Sequence, residues 1–192
     1  NGDIRAIPGG TSGQLLTMNG TIPAWLAPAS SSSWQLTGNA GTNATTNFIG
    51  TTDNIPFNMR VNNQNSGRID HLNFNVMFGY QTGNAVTTGT HLAALGHLAL
   101  SGNTTGSCNT AIGYLAGTTT TTGSFNTFVG DSAGLGNLNG MQNTFVGRQA
   151  MPASAGLTNV TAIGSNAYVN SSKSLVLGSI SGVNNANARD RK

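Results

Sequence analysis

Short apolar segments that end in glycine recur along the second half of the chain at nearly constant spacing. Five steps between successive glycines are 17 residues long, and the last step is 14. The series is Gly79, Gly96, Gly113, Gly130, Gly147, Gly164 and Gly178. A fixed period of this length indicates one structural unit that is repeated and stacked, so that neighbouring units bury a continuous core. The pattern therefore predicts a parallel β-solenoid, with turn-rich stretches such as 118–123 between its strands.

Alternation within each segment predicts which side chains face the core of the solenoid. The residue directly before the glycine is always large and apolar, and we expect this column to point into the coil. Its members are Phe78, Leu95, Ile112, Val129, Val146, Ile163 and Leu177. The column two residues earlier includes Thr110, Thr127, Thr144 and Thr161. Because it lies on the same strand face, we expect these threonines to point inward as well.

The column between these two must point to the opposite face, and it is apolar too. Strands that are apolar on both faces are normally buried on both, whereas an exposed Phe128 and Phe145 would form an aromatic patch. We therefore expect this column to pack around a shared axis against copies of the chain, most simply in a homotrimer. The predicted trimer interface consists of Met77, Ala111, Phe128, Phe145, Ala162 and Val176.

The first half of the chain predicts short strands and turns instead of helices. Pro8, Pro23 and Pro28 interrupt any helical pattern, and the serine run 30–33 is typical of a linker. We predict an all-β chain in four parts. These are an N-terminal fibre segment with a linker at 1–33, a small β-module at 34–72, the β-solenoid repeats at 73–183, and a C-terminal tail at 184–192.

The composition excludes several classes of function. Only 7% of the residues are charged, and the net charge of +3 arises largely from the last five residues, 188–192. The body of the chain therefore has no basic stripe to neutralise nucleic-acid phosphates, and it has no apolar run of about 18 residues to span a membrane. A single cysteine, Cys108, excludes an intrachain disulfide. Because there is neither an initiator methionine nor a signal-peptide pattern, we expect a piece of a longer protein.

Catalytic and metal-binding patterns are weak. Glycoside hydrolysis ordinarily needs two neighbouring carboxyl groups, whereas this chain has five scattered aspartates and no glutamate. We predict that it is not an enzyme and needs no cofactor. His71, His91 and His97 have no carboxylate or cysteine at ligand spacing, so we predict no metal site. A regular threonine array also suggests ice binding, but the inward direction expected for the threonine column argues against it.

The column directly after the glycine varies in chemistry while its neighbours stay constant, as expected of a row that faces solvent. Aromatic, histidine, aspartate and arginine side chains can contact sugar rings and hydrogen-bond their hydroxyls. The candidate ligand-binding residues are Tyr80, His97, Tyr114, Asp131 and Arg148. An alternative for Asp131 and Arg148, which lie one repeat apart, is that they simply pair with each other.

Several of these segments resemble parts of known fibre proteins. Residues 10–17 with Trp25 resemble an element of bacteriophage tail-fibre proteins, and residues 34–54 resemble a module of long bacterial surface fibres. Units 109–117 and 126–134 resemble the head repeats of trimeric autotransporter adhesins, although those repeats are usually shorter than 17 residues. The order of modules is similar to that of the mosaic trimeric adhesive fibres of predatory bacteria.

This resemblance implies a homotrimeric fibre, with a small N-terminal β-module and a left-handed parallel β-roll or β-prism. It also implies an extracellular location, on a bacterial cell surface or a phage particle. We expect the chain to mediate attachment to a cell-surface ligand, either a glycan or a protein receptor. The alternative is a passive shaft that spaces a separate binding tip.

Overall fold

The computed structural model describes Gly9, Thr11 and residues 14–19, 22–26 and 38–178. Every regular element within these residues is a β-strand, which confirms the all-β prediction. The chain divides into two compact units, residues 1–50 and 51–192, so the division falls inside the span predicted as one β-module. The predicted linker at 30–33 and the predicted tail at 184–192 lie outside the described residues.

The first unit contains an antiparallel pair of strands, β1 (Leu15–Asn19) and β2 (Ile22–Leu26). In this pair Leu15 lies opposite Leu26, and Asn19 lies opposite Ile22. Further along, the side-chain oxygen of Asn43 accepts a hydrogen bond from the backbone N–H of Thr45 at 2.9 Å. Asparagine is common in such turns because its side chain replaces a backbone acceptor.

The second unit begins with a β-hairpin of β3 (Phe57–Val61) and β4 (Gln64–Asp70). Asn62 and Asn63 connect the two strands, and both have positive φ, 47° and 57°. Two-residue hairpin turns favour asparagine because it tolerates this left-handed conformation. β4 also pairs antiparallel with β5 (Asn75–Phe78), the first strand of the solenoid. The hairpin therefore covers the first strand edge of the solenoid sheet.

The solenoid strands follow at the repeat spacing and pair in parallel, each with the strand one repeat away. After β5 they are β6 (Ala93–Leu95), β7 (Thr110–Ile112), β8 (Thr127–Val129), β9 (Thr144–Val146), β11 (Thr161–Ile163) and β13 (Leu175–Leu177). Together with β3 and β4 they form a nine-stranded sheet. The short strands β10 (Met151–Pro152) and β12 (Tyr168–Val169) make a second parallel pair. These contacts confirm a β-solenoid of about six turns with repeats of about 17 residues.

We number the turns of the solenoid as coils that each begin at one strand of the main sheet. Coils 1 to 6 are residues 75–91, 92–108, 109–125, 126–142, 143–159 and 160–173. The last strand, β13, begins a further coil.

The middle residue of each solenoid strand points into its own coil, which reverses the face assignment expected from the sequence. Phe128 and Phe145 are both 0% exposed, and their rings stack with centroids 6.0 Å apart. The predicted outward position of this column is therefore wrong, because a side chain enclosed by its own coil cannot contact a second chain. All six residues of the predicted trimer interface belong to this inward column. Met77, Ala111, Phe128, Phe145 and Ala162 are buried, and Val176 is half-buried.

The narrow interior of the coil explains this outcome. A Cβ atom on Gly134 would lie 2.1 Å from Cδ1 of Phe128, and one on Gly117 would lie 2.6 Å from Cδ2 of the same ring. The interior also contains a column of fully buried alanines, namely Ala99, Ala116, Ala133, Ala150 and Ala167. Small residues across the interior thus leave room for the large side chains of the middle column, and the column before the glycine stays outside.

Buried asparagines connect successive coils. The side-chain amide of Asn109 donates to the carbonyl of Gly123 at 2.7 Å, and its oxygen accepts the N–H of Asn126 at 2.9 Å. Asn75, Asn126 and Asn143 make the same two bonds in their own coils. Coil 2 has Leu92 in this column, and there the amide of Asn103 donates to the carbonyl of Gly106 at 2.9 Å instead. Satisfied buried amides of this kind favour one register of stacking.

Candidate interaction surfaces

The outer face of the solenoid sheet is a continuous apolar surface, which we call the outer strip. It is formed by the column before the glycine and the column two residues earlier. Its members are Val76, Phe78, Ala93, Leu95, Thr110, Ile112, Thr127, Val129, Thr144, Val146, Thr161, Ile163, Leu175 and Leu177. Leu95 is 56% exposed and Leu177 is 70% exposed, so the expectation that the column before the glycine points inward is wrong.

The outer strip contains no charged residue, and its composition changes along the solenoid. In coils 1 and 2 it consists of Val76, Phe78, Ala93 and Leu95, and coils 3 to 6 combine threonine with isoleucine or valine. The last strand, β13, adds Leu175 and Leu177. The small side chain of Ala93 lies in an apolar hollow of about 220 Å³, which extends to Ile112 in coil 3. Exposed apolar surfaces of this extent usually mark interaction sites.

The threonine column lies on the outer strip instead of inside the coil. Thr110, Thr127, Thr144 and Thr161 are half-buried and stand in register on neighbouring strands. The expected inward direction of these threonines is therefore wrong. Their direction therefore does not disfavour ice binding.

The structure brings the five candidate ligand-binding residues together in two groups. We call this row the post-glycine ladder. The ring centroids of Tyr80 and His97 lie 5.8 Å apart, and those of His97 and Tyr114 lie 5.4 Å apart. Further along, Oδ2 of Asp131 lies 3.9 Å from Nε of Arg148, the pairing that the sequence left open.

The geometry of the post-glycine ladder limits the contacts that it can make. The three rings are tilted against one another by 53° and 32°, so part of each ring face is already in contact with a neighbour. Their edges carry the phenol hydroxyls of Tyr80 and Tyr114 and the imidazole nitrogens of His97, which can donate and accept hydrogen bonds. Tyr114 is 49% exposed. The aromatic half of the ladder therefore offers polar edges more than open ring faces.

A polar hollow of about 90 Å³, which the sequence pattern does not indicate, lies at the end of the solenoid next to the hairpin. Nη2 of Arg68 donates to Oδ2 of Asp70 at 2.7 Å. The Asp70 carboxylate also accepts hydrogen bonds from the backbone N–H groups of Leu72 and Asn73 and from the Asn73 amide, each at 3.1 Å. Arg68 and Asp70 are two residues apart on one strand and hence share a face, and this was the available signal in the sequence.

Asp70 is ionised at neutral pH. Burial raises the pKa of its carboxyl group, but the hydrogen bonds from Asn73 and the positive charge of Arg68 outweigh burial and hold the pKa below its ordinary value of 3.8. Arg68 and Asp70 are consequently a pair with no net charge.

The three histidines lie in separate surroundings. The His91 ring stacks on Phe74 with centroids 4.9 Å apart, Nε2 of His71 lies 2.5 Å from Oδ1 of Asn54, and His97 belongs to the post-glycine ladder. Among the residues that the structure describes, no three histidine, cysteine or acidic side chains are grouped so that they could hold a metal ion.

Within the same described part of the chain, no helix has the length and apolar character needed to cross a bilayer. Comparison of the chain with known protein families, curated proteins and solved structures finds no match. The outer strip, the post-glycine ladder and the polar hollow are therefore the features from which a function can be inferred.

Proposed function

We propose that this chain is a segment of an extracellular homotrimeric fibre that attaches to a cell-surface ligand, in the first instance a glycan. The observation that carries the proposal is the outer strip, an uncharged apolar surface along the solenoid sheet that is exposed in the single chain. The copies of the chain cover one another's strips, and the fibre belongs to a bacterial cell surface or a phage particle.

The energetics of burial support association through the outer strip. Full burial of one leucine, isoleucine or valine side chain stabilises by about 1.5–3 kcal/mol, and the strip exposes Leu95, Ile112 and Ile163 among others. Its rows are about 4.8 Å apart along the sheet, so an identical copy in register places apolar residues opposite apolar residues at every level. The resemblance of the repeats to autotransporter head repeats supplies the number of copies, because those heads are trimers.

The position of the post-glycine ladder supports attachment. Tyr114 is separated from Ile112 of the outer strip by one glycine, and it is itself exposed. In an assembly that covers the strip, the ladder therefore lies at the border of the interface and stays accessible. Its phenol, imidazole, carboxylate and guanidinium groups are able to hydrogen-bond sugar hydroxyls. As proposed, the fibre binds its ligand without cleaving it and uses no cofactor or metal.

The mass in solution, measured by light scattering, tests the assembly. We expect about three times the chain mass of 19.5 kDa. A Leu95→Asp variant places a charge in the outer strip and should yield monomers, because the carboxylate would have to be desolvated at the interface. Thr122→Asp, in an exposed loop outside the strip, is the matched control and should remain trimeric. A folded wild-type monomer would overturn the trimer.

Binding to a glycan array tests attachment and separates it from the alternatives. We expect the wild-type fibre to bind, and the Tyr80→Ala/Tyr114→Ala double variant to lose most of the signal while its mass is unchanged. A trimer that binds neither glycans nor host cells would instead be a passive shaft. Ice binding is favoured by the outward threonine rows, and it would require a monomer that shows thermal hysteresis. Release of soluble saccharide would contradict the binding-only function.

A further inference from the structure

The junctions between coils show where backbone carbonyls of each coil point. At the first junction, the carbonyl of Ala99 accepts the N–H of Gly83 at 2.9 Å, and that of Ser101 accepts the N–H of Ala85 at 3.1 Å. The carbonyl of Thr104 accepts the N–H of Thr87 at 3.0 Å. These carbonyls of coil 2 therefore point towards coil 1.

The equivalent carbonyls of coil 1 have no coil in front of them. One repeat earlier, the positions of Ala99, Ser101 and Thr104 correspond to Thr82, Asn84 and Thr87. No donor among the described residues bonds to the backbone carbonyls of these three residues, because β4 covers only the strand side of the coil. All three residues line the polar hollow. The hollow is thus bordered by three backbone acceptors whose equivalents in coils 2 and 3 are used for stacking.

Hydrogen-bond donors line the other side of the hollow. Nη2 of Arg68 is engaged with Asp70, but Nε of Arg68 is buried and has no hydrogen-bond partner within the described structure. A buried donor without a partner costs about 1–3 kcal/mol. The side chains of Asn65 and Asn84 also line the hollow and are exposed, and Met77 and Val86 add an apolar patch.

From this arrangement we infer that the hollow binds one ring of a neutral saccharide through adjacent hydroxyl groups. A sugar hydroxyl both donates and accepts, so neighbouring hydroxyls can donate to the free carbonyls and accept from the exposed amides of Asn65 and Asn84. The apolar patch would contact the C–H groups of the ring. This inference rests on the proposed attachment function and adds to it a second site, at the end of the solenoid and separate from the post-glycine ladder.

The charges favour a neutral sugar over an acidic one. Asp70 balances the charge of Arg68 at 2.7 Å, so the hollow offers an anion no net attraction. The carbonyl groups carry partial negative charge on their oxygens and would repel a carboxylate. A volume of about 90 Å³ is sufficient for the edge of a single ring, so the contact is with one residue of a glycan.

Saturation-transfer NMR with the methyl glycosides of glucose, galactose, mannose and N-acetylglucosamine tests this site in the wild-type chain. We expect saturation transfer to at least one of them, a loss of at least tenfold in affinity in Asn84→Ala, and no signal in Asn84→Phe, whose ring fills the hollow. Asn84 is exposed, so neither change threatens folding. Leu135→Phe is the matched control, because it adds the same ring at the equivalent position of coil 4, and it should bind like the wild type.

Three results would overturn the inference. These are no transfer to any neutral glycoside, unchanged binding in Asn84→Phe, or tighter binding of N-acetylneuraminic acid than of the neutral sugars. The glycan array distinguishes this failure from failure of the proposed function. If Asn84→Phe keeps full array binding that Tyr80→Ala/Tyr114→Ala loses, the hollow is not a site but the attachment function stands. If the wild-type chain binds no glycan at all, both fail.

Discussion

The two faces of the solenoid strands are both apolar, yet the chain itself buries only one of them. On the inner face Phe128 and Phe145 are 0% exposed, whereas on the outer face Ile112 and Ile163 remain 45% and 40% exposed. The inner column is enclosed because glycines and alanines lie across the coil from it. The hydrophobicity of a column therefore does not tell whether the column is buried in its own coil or exposed. A column is buried in the coil where small residues of the same chain lie across from it and leave room for its side chains.

This difference has a thermodynamic consequence. The inner face stabilises a single chain at any concentration, because all of its contacts are intramolecular. The exposed part of the outer strip would stabilise the fold only if a copy covered it, as proposed, so that part of its contribution would depend on protein concentration. Substitutions on the two faces should therefore differ in size and also in their response to dilution.

The largest expected effect comes from emptying the inner face. Phe128→Ala should lower the free energy of unfolding by about 3–5 kcal/mol, because it leaves a cavity that the rigid coil cannot close. Chemical denaturation measures the loss. Phe125→Ala, three residues away at a side chain that is 58% exposed, should change stability by less than about 0.5 kcal/mol. Equal losses of stability in the two variants would contradict the special importance of the inner face.

The buried asparagines test whether polar contacts of the interior matter as much as apolar ones. Asn109→Leu copies the residue found naturally at position 92, but it leaves the N–H of Asn126 and the carbonyl of Gly123 without their side-chain partner. We expect a loss of about 2–4 kcal/mol, since each unsatisfied buried group costs about 1–3 kcal/mol. The equilibrium unfolding curve measures it. An unchanged stability would show that the register of stacking does not depend on the hydrogen bonds of the buried asparagines.

On the outer strip, Ile112→Ala should act mainly in the proposed assembled state, because Ile112 is 45% exposed in the single chain. We expect a loss of about 1–2 kcal/mol per chain at concentrations where the chain is trimeric, from reduced apolar burial. Below the concentration at which the proposed trimer dissociates, the loss should become smaller. Thermal unfolding across a dilution series, with wild type beside it, provides the measurement. The same destabilisation at every concentration would mean that the strip is covered by its own chain.

Asp70, next to the polar hollow at the hairpin end of the solenoid, makes the stability of the fold depend on pH. The pKa of Asp70 is lowered in the fold, so its contribution to stability is present above the pKa of the unfolded chain and is lost as the pH falls through the lower folded value. Asp70→Asn should therefore flatten the acid limb of the stability curve below about pH 4. Unfolding curves recorded from pH 7 to pH 2 would detect this. Asp53→Asn, at an exposed loop position, is the control, and an equal flattening there would contradict the assignment.

Much of the fold could be predicted from the sequence because the repeat is a local, one-dimensional signal. The glycine series places the seven parallel strands of the main sheet, and each of them ends one residue before its glycine. The post-glycine ladder could be placed for the same reason, because equal spacing along the chain becomes contact between coils. Its binding role stays a prediction.

The face assignment and the polar hollow could not be predicted in the same way. Two alternating columns were apolar, and the choice between them depends on Gly117 and Gly134, which face Phe128 only after the coil closes. The hollow depends on the hairpin leaving part of coil 1 uncovered, which no single stretch of residues encodes.

The sequence by itself thus determined the period, the strands and their parallel stacking, because these follow from residues that recur at fixed separation. Only the tertiary structure decided which face is inside, which carbonyls stay free and which apolar surface stays exposed. The physical reason is that the narrow, close-packed interior accepts a large side chain only where small residues lie across the coil from it. The space available is set by residues that become neighbours only in the folded coil.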